Sequence, residues 1–185
     1  MSQPIRVATL TLSDTRTPED DEGGRLLGEL LRAAGFEIVS HAIVREDDSA
    51  IRDAVTARAS DAGVDAIVLT GGTGVAPRDR TVEVITPLFD KPIEGFGEAF
   101  RRLSWDQIGP RAILSRAAAG VIRGRIVMAL PGSLKAVRLG VEALIAPTLT
   151  HAVELAQGRG GHHHHGHGKH HGADHARHGE KKEAR

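Results

Sequence analysis

No cysteine occurs in the 185 residues. That excludes disulfides, thiolate metal sites and a cysteine nucleophile. Tyrosine is absent too, and aromatic residues together make up 3% of the chain, so any core must be filled by Val, Ile, Leu and Ala. At 40% hydrophobic residues there is enough of these for one domain with a tail. No apolar run approaches the roughly 20 residues of a membrane span. Met1-Ser2-Gln3-Pro4 leads directly into a strand-like segment, with no signal peptide, so the expected location is the cytoplasm. The zero net charge is unevenly divided. From Arg159 onward six Lys/Arg face three Asp/Glu, which leaves 18 basic and 21 acidic groups in the rest, a net of −3. A body with that balance is a poor general binder of nucleic acid.

Residues 65–83 carry the most information. Asp65–Thr70 is an apolar, β-branched run that breaks into Gly71-Gly72-Thr73-Gly74, followed by Arg78-Asp79-Arg80 and a short helical segment. A strand ending in a glycine-rich turn places bare backbone N–H groups around an anion. A carboxylate such as Asp79 beside a phosphate cradle repels the ligand unless a cation lies between them, which points to Mg²⁺ and a nucleotide or phosphorylated substrate. The P-loop pattern fails for want of Lys after the glycines, and the dinucleotide G-x-G-x-x-G pattern fails at Val75-Ala76-Pro77. A plain tight turn with glycines at positive φ is the structural alternative.

The rest reads as β-α-β-α-β. Ile5–Leu12 is a strand. An acidic loop, Glu19–Glu22, closes at Gly23-Gly24, and a helix with Leu26, Leu27, Leu30 and Leu31 stops at Gly35. Phe36–Val44 is a second strand, and Glu46-Asp47-Asp48-Ser49 starts a helix. In the second half Gly95–Trp105 is helical, Ala117–Gly124 is strand or loop, and Arg125–Leu130 is a strand ending in Pro131-Gly132-Ser133. A helix over Leu134–Ile145 is expected to break at Pro147 before a last helix, Thr148–Gln157. In an open parallel sheet ligands sit outside the carboxyl ends of the strands. Those ends carry Ser13-Asp14, Glu46-Asp47, the glycine loop with Asp79, and Pro131-Gly132-Ser133. Each taken alone also reads as a turn or a helix cap.

With these residues in hand, the chain resembles the MoaB/Mog family of molybdenum-cofactor biosynthesis proteins over about Ile5–Gln157. The resemblance rests on Thr70–Gly74, Arg78-Asp79, Glu94-Gly95-Phe96-Gly97-Glu98, Ser115-Arg116 with Ala119-Gly120-Val121, and Pro131-Gly132-Ser133 with Lys135. Pro87–Asp90 through Arg102-Leu103-Ser104, and Ile145-Ala146-Pro147, look like the B-type branch. The resemblance implies a three-layer α/β/α domain with a mostly parallel sheet over residues 1–158, assembling as a trimer or hexamer. It implies binding of molybdopterin and Mg²⁺-dependent transfer of AMP from ATP to it, with release of pyrophosphate, and contacts with other molybdenum-cofactor enzymes. In that scheme Thr70, Gly71, Gly72, Thr73 and Gly74 hold phosphate. Asp79, Glu46 and Asp47 are catalytic, with Mg²⁺ on Asp79 and Glu46. Ser13, Asp14, Ser115, Arg116, Pro131, Gly132 and Ser133 line the pterin side. Trp105 is expected in the core or in a subunit interface. One departure stands out: Glu46 occupies the position of the usual Asp, in Arg45-Glu46-Asp47, where Arg45 is placed to pair with either acid. A non-catalytic pterin carrier is therefore the alternative function.

Residues 159–185 hold nine of the eleven histidines, interspersed with glycine. Such a segment has no apolar periodicity and is expected to be disordered. His162, His163, His164, His165, His167, His170 and His171 suit Zn²⁺ or Ni²⁺. An added tag is the plain alternative.

Overall fold

In the computed structural model, which describes residues 3–159, six strands form one sheet in the order β2-β1-β3-β6-β5-β4. The strands are β1 (Arg6–Leu12), β2 (Glu37–Val44), β3 (Ala66–Thr70), β4 (Lys91–Pro92), β5 (Ala118–Ile122) and β6 (Arg125–Leu130). β1, β2, β3 and β6 run parallel, while β5 is antiparallel to both β6 and β4. β3 is buried at every position and β1 at all but its first, which is why both read as unbroken apolar runs. β2 is an edge strand and its burial alternates. Ala118–Ile122, left open between strand and loop, is a strand. It turns back into β6 through Arg123 and Gly124, both at positive φ (51° and 74°), the geometry of a type I′ hairpin.

The helices lie on both faces. α1 (Glu22–Ala33), α4 (Glu94–Ile108), α5 (Leu134–Gly140) and α6 (Ala146–Ala156) cover Val7, Val68 and Met128 with Leu27, Leu31, Phe100, Val137 and Leu149. α2 (Asp48–Ser60) and α3 (Thr81–Ile85) cover Leu10, Ile67 and Val127 with Ile51, Val55 and Ile85. The three-layer α/β/α reading holds.

Two expectations need correction. The glycines Gly23-Gly24 do not close a loop ahead of α1: the helix begins at Glu22 and buries both in its first turn. A Cβ on Gly24 would lie 2.1 Å from Asp21 Oδ2 and 2.6 Å from both His41 Cε1 and Thr11 Oγ1, so the helix start needs glycine in order to pack. Nor does Pro147 break the last helix. A π turn over Val141–Ile145 precedes it, and the Ala146 N–H reaches back five residues to the Val141 carbonyl. This wider turn gives room to a ring that would clash with the carbonyl four residues back. Leu134–Ala156 is thus one 23-residue helical run with mean hydropathy 1.2, long and apolar enough to span a membrane by composition alone. Its stripe of Val137, Val141, Ile145, Leu149 and Val153 is buried on the sheet. The tail histidines His162–His178 lie outside the described residues.

Candidate functional site

Three cavities follow the strand order along the carboxyl edge of the sheet. The central one, about 350 Å³, lies over β1 and β3 and is bordered by Ser13, Asp14, Glu46, Gly71, Asp79 and Gly132 among others. Residues following four different parallel strands meet there, as strand-end logic requires.

The glycine loop is shaped by two close approaches. Gly71 has φ 106° and Gly72 has φ 62°. A Cβ at Gly71 would lie 2.4 Å from the Leu12 carbonyl oxygen, and one at Gly72 would lie 2.3 Å from Thr81 Oγ1. Thr81, fully buried, ties the loop by donating its hydroxyl to Gly71 O (2.9 Å) and its N–H to Gly72 O (3.1 Å). The Gly71 N–H is spent on Leu130 O. Among the described residues the N–H groups of Gly72, Thr73 and Gly74 meet no acceptor, so three donors of the expected cradle are open. Thr70 Oγ1 donates to Pro131 O (3.2 Å), stitching β3 to the end of β6.

Glu46 is half-buried, and its Oε2 is buried without a hydrogen-bond partner. Burial pushes its carboxyl up, and the neighbouring charges of Asp79 and Asp14 push it further, with Arg78 opposing. A low-dielectric acid with an orphan oxygen beside two more carboxylates is a place where a cation lowers the energy. Among the described residues no group of three or more His, Cys, Asp or Glu converges closely enough to hold a metal on its own. Mg²⁺ usually keeps several waters and takes further oxygens from phosphate, so one or two carboxylates fit it. Asp79 Oδ2 accepts from the Ala76 N–H (2.8 Å), which leaves its other oxygen for such a role. Asp14 Oδ1 accepts from the Glu46 N–H (3.1 Å), bracing the end of β1 against the end of β2. Ser13 Oγ accepts from the N–H groups of Thr15 and Arg16.

Other expected site residues sit elsewhere. Asp47 is the N-cap of α2: its carboxylate accepts from Ser49 N, Ala50 N and the Ser49 hydroxyl, which holds its pKa below the usual range. It does not border the cavity. Arg45 pairs with neither Glu46 nor Asp47; its Nε lies 3.9 Å from Asp14 Oδ1. Arg116 is a clamp on the glycine loop rather than a cavity wall. Its N–H donates to Thr73 O (3.0 Å), its Nε to Gly74 O (2.8 Å) and its Nη2 to Asp79 O (3.2 Å), and its guanidinium pairs with Glu83.

Ser115, Pro131 and Ser133 border a second cavity of about 230 Å³ on the far side of the glycine loop, with Thr73, Phe100, Leu139 and Lys135. It is mostly apolar, and Thr73 Oγ1 is a second buried side-chain oxygen without a partner. Ser133 Oγ also caps α5 through Ala136 N (3.2 Å). The residues expected on the pterin side are therefore divided. Ser13, Asp14 and Gly132 border the central cavity, and Ser115, Pro131 and Ser133 border the apolar one.

The sequence reading missed a buried polar chain on the α1 face. Asp21, 2% exposed, caps α1 through Gly24 N (2.9 Å), accepts the Thr11 hydroxyl (2.8 Å) and meets His41 Nε2 (3.0 Å); His41 Nδ1 meets Thr9 Oγ1 (2.9 Å). An Asp three residues ahead of a buried glycine is a cap signal. His41, a single polar residue within a strand, gave none. The Arg80–Asp48 pair (2.8 Å at both contacts) was missed as well. It fastens the end of the glycine loop to α2, next to Glu46.

Residues 8–151 match the family described as "Probable molybdopterin binding domain". The chain is 47% identical over 150 residues to molybdenum cofactor biosynthesis protein B of Bacillus subtilis, covering 80% of this chain and 88% of that one. A crystal structure of a molybdenum cofactor biosynthesis protein B superposes with a TM-score of 0.81 at 44% identity, over 83% of this chain and 96% of the other. The tungsten cofactor synthesizing protein MoaB of Pyrococcus furiosus superposes at 0.72 with 36% identity, over 85% and 99%. With its glycine loop, its strand-end acids and this agreement over nearly all the described residues, the chain belongs to the MoaB/Mog family of molybdenum cofactor biosynthesis proteins.

Proposed function

We propose that the protein binds molybdopterin and transfers AMP to it from ATP with Mg²⁺, releasing pyrophosphate. The observation that carries this reading is the pair of unpartnered buried oxygens on either side of the glycine loop, Glu46 Oε2 and Thr73 Oγ1. Each marks one of two adjoining cavities, one acidic and phosphate-shaped, the other apolar and fit for a flat heterocycle.

In this reading the apolar cavity takes the pterin, with Lys135 beside its phosphate, and the central cavity takes the nucleotide's α-phosphate. The pterin phosphate oxygen forms the new bond to the α-phosphorus. The bond to the bridging oxygen breaks, and its electron pair leaves with pyrophosphate. The attacking group is already an oxyanion, so the chain need not supply a strong base; its work is positioning and charge neutralisation. The open N–H groups of Gly72, Thr73 and Gly74 receive phosphate oxygens. Glu46 and Asp79 would hold Mg²⁺, which supplies positive charge where negative charge builds.

The test is pyrophosphate release by the purified protein with molybdopterin, ATP and Mg²⁺, alongside protein lacking residues 159–185. Pterin-dependent release is expected, with loss in Asp79→Asn, which keeps the acceptor for Ala76 N–H and so the loop. Full activity in Asp79→Asn would remove the Mg²⁺ role. A second reading, a pterin carrier, is favoured by one observation: Asp47 is consumed by its helix cap, which leaves two acids for the metal. No release with tight pterin binding retained would establish the carrier.

Assembly as a trimer or hexamer belongs to the same proposal. Trp105 is 49% exposed rather than in the core, and Ile108, Ile113 and Leu114 are exposed beside it, an apolar patch suited to a second copy.

A further inference from the structure

A third cavity, about 600 Å³, opens at the β2 side of the central one and shares Ser13, Asp14, Arg16 and Asp21 with it. Its other borders include Arg25, His41, Arg45, Ala42 and Pro18. Both carboxylates on its wall are already engaged. Asp21 is bonded by Gly24 N, Thr11 and His41, and Asp14 by Glu46 N and, more loosely, Arg45. The arginines are not matched in the same way. Arg16 Nη1 donates to Asp20 O (2.5 Å), and Arg25 Nη1 to Glu19 O (2.8 Å) and Pro18 O (3.4 Å). Neither makes an ion pair among the described residues. Each guanidinium carries five donors, so most remain free. His41 is held at both ring nitrogens and is wall rather than ligand.

Position decides what this basic hollow takes. The apolar, central and basic cavities follow the strand order from β6 across β3 and β1 to β2. An in-line displacement at phosphorus needs attacker and leaving group on opposite sides. With the attacking phosphate on the β6 side, the leaving group emerges toward β2. We infer that the hollow bordered by Arg16, Arg25 and Arg45 is the pyrophosphate subsite, receiving the β- and γ-phosphates of the nucleotide. The inference rests on the adenylyl-transfer reading for its direction, but its ligand chemistry can be tested without that reaction. As the bridging bond breaks, its electron pair and the growing negative charge move onto the leaving oxygen. The two unpaired guanidiniums stand where bidentate contacts to phosphate oxygens stabilise that charge.

The test is titration of inorganic pyrophosphate alone into the full chain by calorimetry, for the parent protein, Arg16→Gln/Arg25→Gln, and Arg45→Gln. Arg45 has a side chain 83% exposed, and its replacement leaves the loop contacts of the other two in place. Each lost arginine contact is expected to weaken pyrophosphate binding about tenfold, with Tm within a few degrees of the parent and molybdopterin affinity unchanged. In steady state the double variant is expected to raise the KM for ATP more than it lowers kcat. Unchanged pyrophosphate affinity in both variants would overturn the subsite. Normal pyrophosphate binding that weakens in the variants, in a protein showing no pterin-dependent release, would retain the subsite and overturn the transferase.

Discussion

Glu46 is the residue on which the chemistry and the folding of this site pull in opposite directions. Its carboxyl titrates above the ordinary range chiefly because it is buried, and further because Asp79 and Asp14 are near. The folded state then binds the Glu46 proton more tightly than the unfolded state does. Stability therefore falls as pH rises from the unfolded value of about 4.5 through the raised folded value. Above that window the ionised group is a net strain on the metal-free fold. Glu46→Gln should raise Tm at pH 7 in EDTA and abolish pyrophosphate release, and added Mg²⁺ should stabilise the parent more than the variant. A lower Tm for the variant in EDTA would show that the charge is already compensated within the protein. Asp65 shows the opposite sign. Burial works to raise its pKa, but hydrogen bonds from the Arg6 side chain (3.0 Å) and N–H (3.0 Å) and from Gln157 (3.1 Å) hold it at about 2. Its contribution, about 2 kcal/mol from that shift, is present above pH 3.8 and lost as pH falls from 3.8 toward 2. Asp65→Asn should lower stability at pH 7 by about this amount and flatten the acid limb between pH 4 and 2, which denaturant titrations at several pH values would measure.

At the scale of elements, the glycine loop is rigid because of what surrounds it. Thr81 bonds two of its carbonyls, and Arg116 reaches Thr73 O, Gly74 O and Asp79 O. Glu83, whose pKa is lowered chiefly by its hydrogen bond from Arg116, holds that guanidinium in place. Arg116→Gln should cost about 1 kcal/mol of stability and reduce pyrophosphate release by roughly tenfold or more through a misplaced loop, with molybdopterin affinity changed much less. A direct pterin contact would reverse that order, so comparing the two readouts separates clamp from ligand. The strands and the glycine cradle were legible because their signals are local: a β-branched run, then glycines that no other residue can replace. Arg116 was legible as important and misplaced in role, because its partners lie 33 to 42 residues away and sequence spacing does not show them. The run through Pro147 was misread for a related reason. Proline's usual effect was offset by a π turn just ahead of it, a backbone adjustment with no residue-level signature. Asp47 and Ser133 were found as site candidates because cap residues and ligand residues share the same chemistry at helix starts.

For the whole molecule, the apolar patch of Trp105, Ile108, Ile113 and Leu114 is the surface whose burial would complete the assembly. At about 25 cal/mol per Å² of apolar area, covering side chains of this size is a substantial gain for association. Light scattering coupled to size exclusion should give a trimer or hexamer for the parent, and Ile113→Glu should shift it toward smaller species. A monomeric parent at micromolar concentration would remove the assembly proposal.

The bridge through Asp65 has a practical consequence. One carboxylate accepts from Arg6, at the start of the first strand, and from Gln157, at the end of the last helix. Entry and exit of the described chain therefore meet at the amino edge of the sheet, while the three cavities open at the carboxyl edge. Whatever is attached to either end, whether a fluorophore, a solid support or a fused domain, starts from the side away from the chemistry. A protein captured on a surface through its C-terminal histidines would present all three mouths to solution, which makes immobilised kinetics a fair stand-in for free kinetics here.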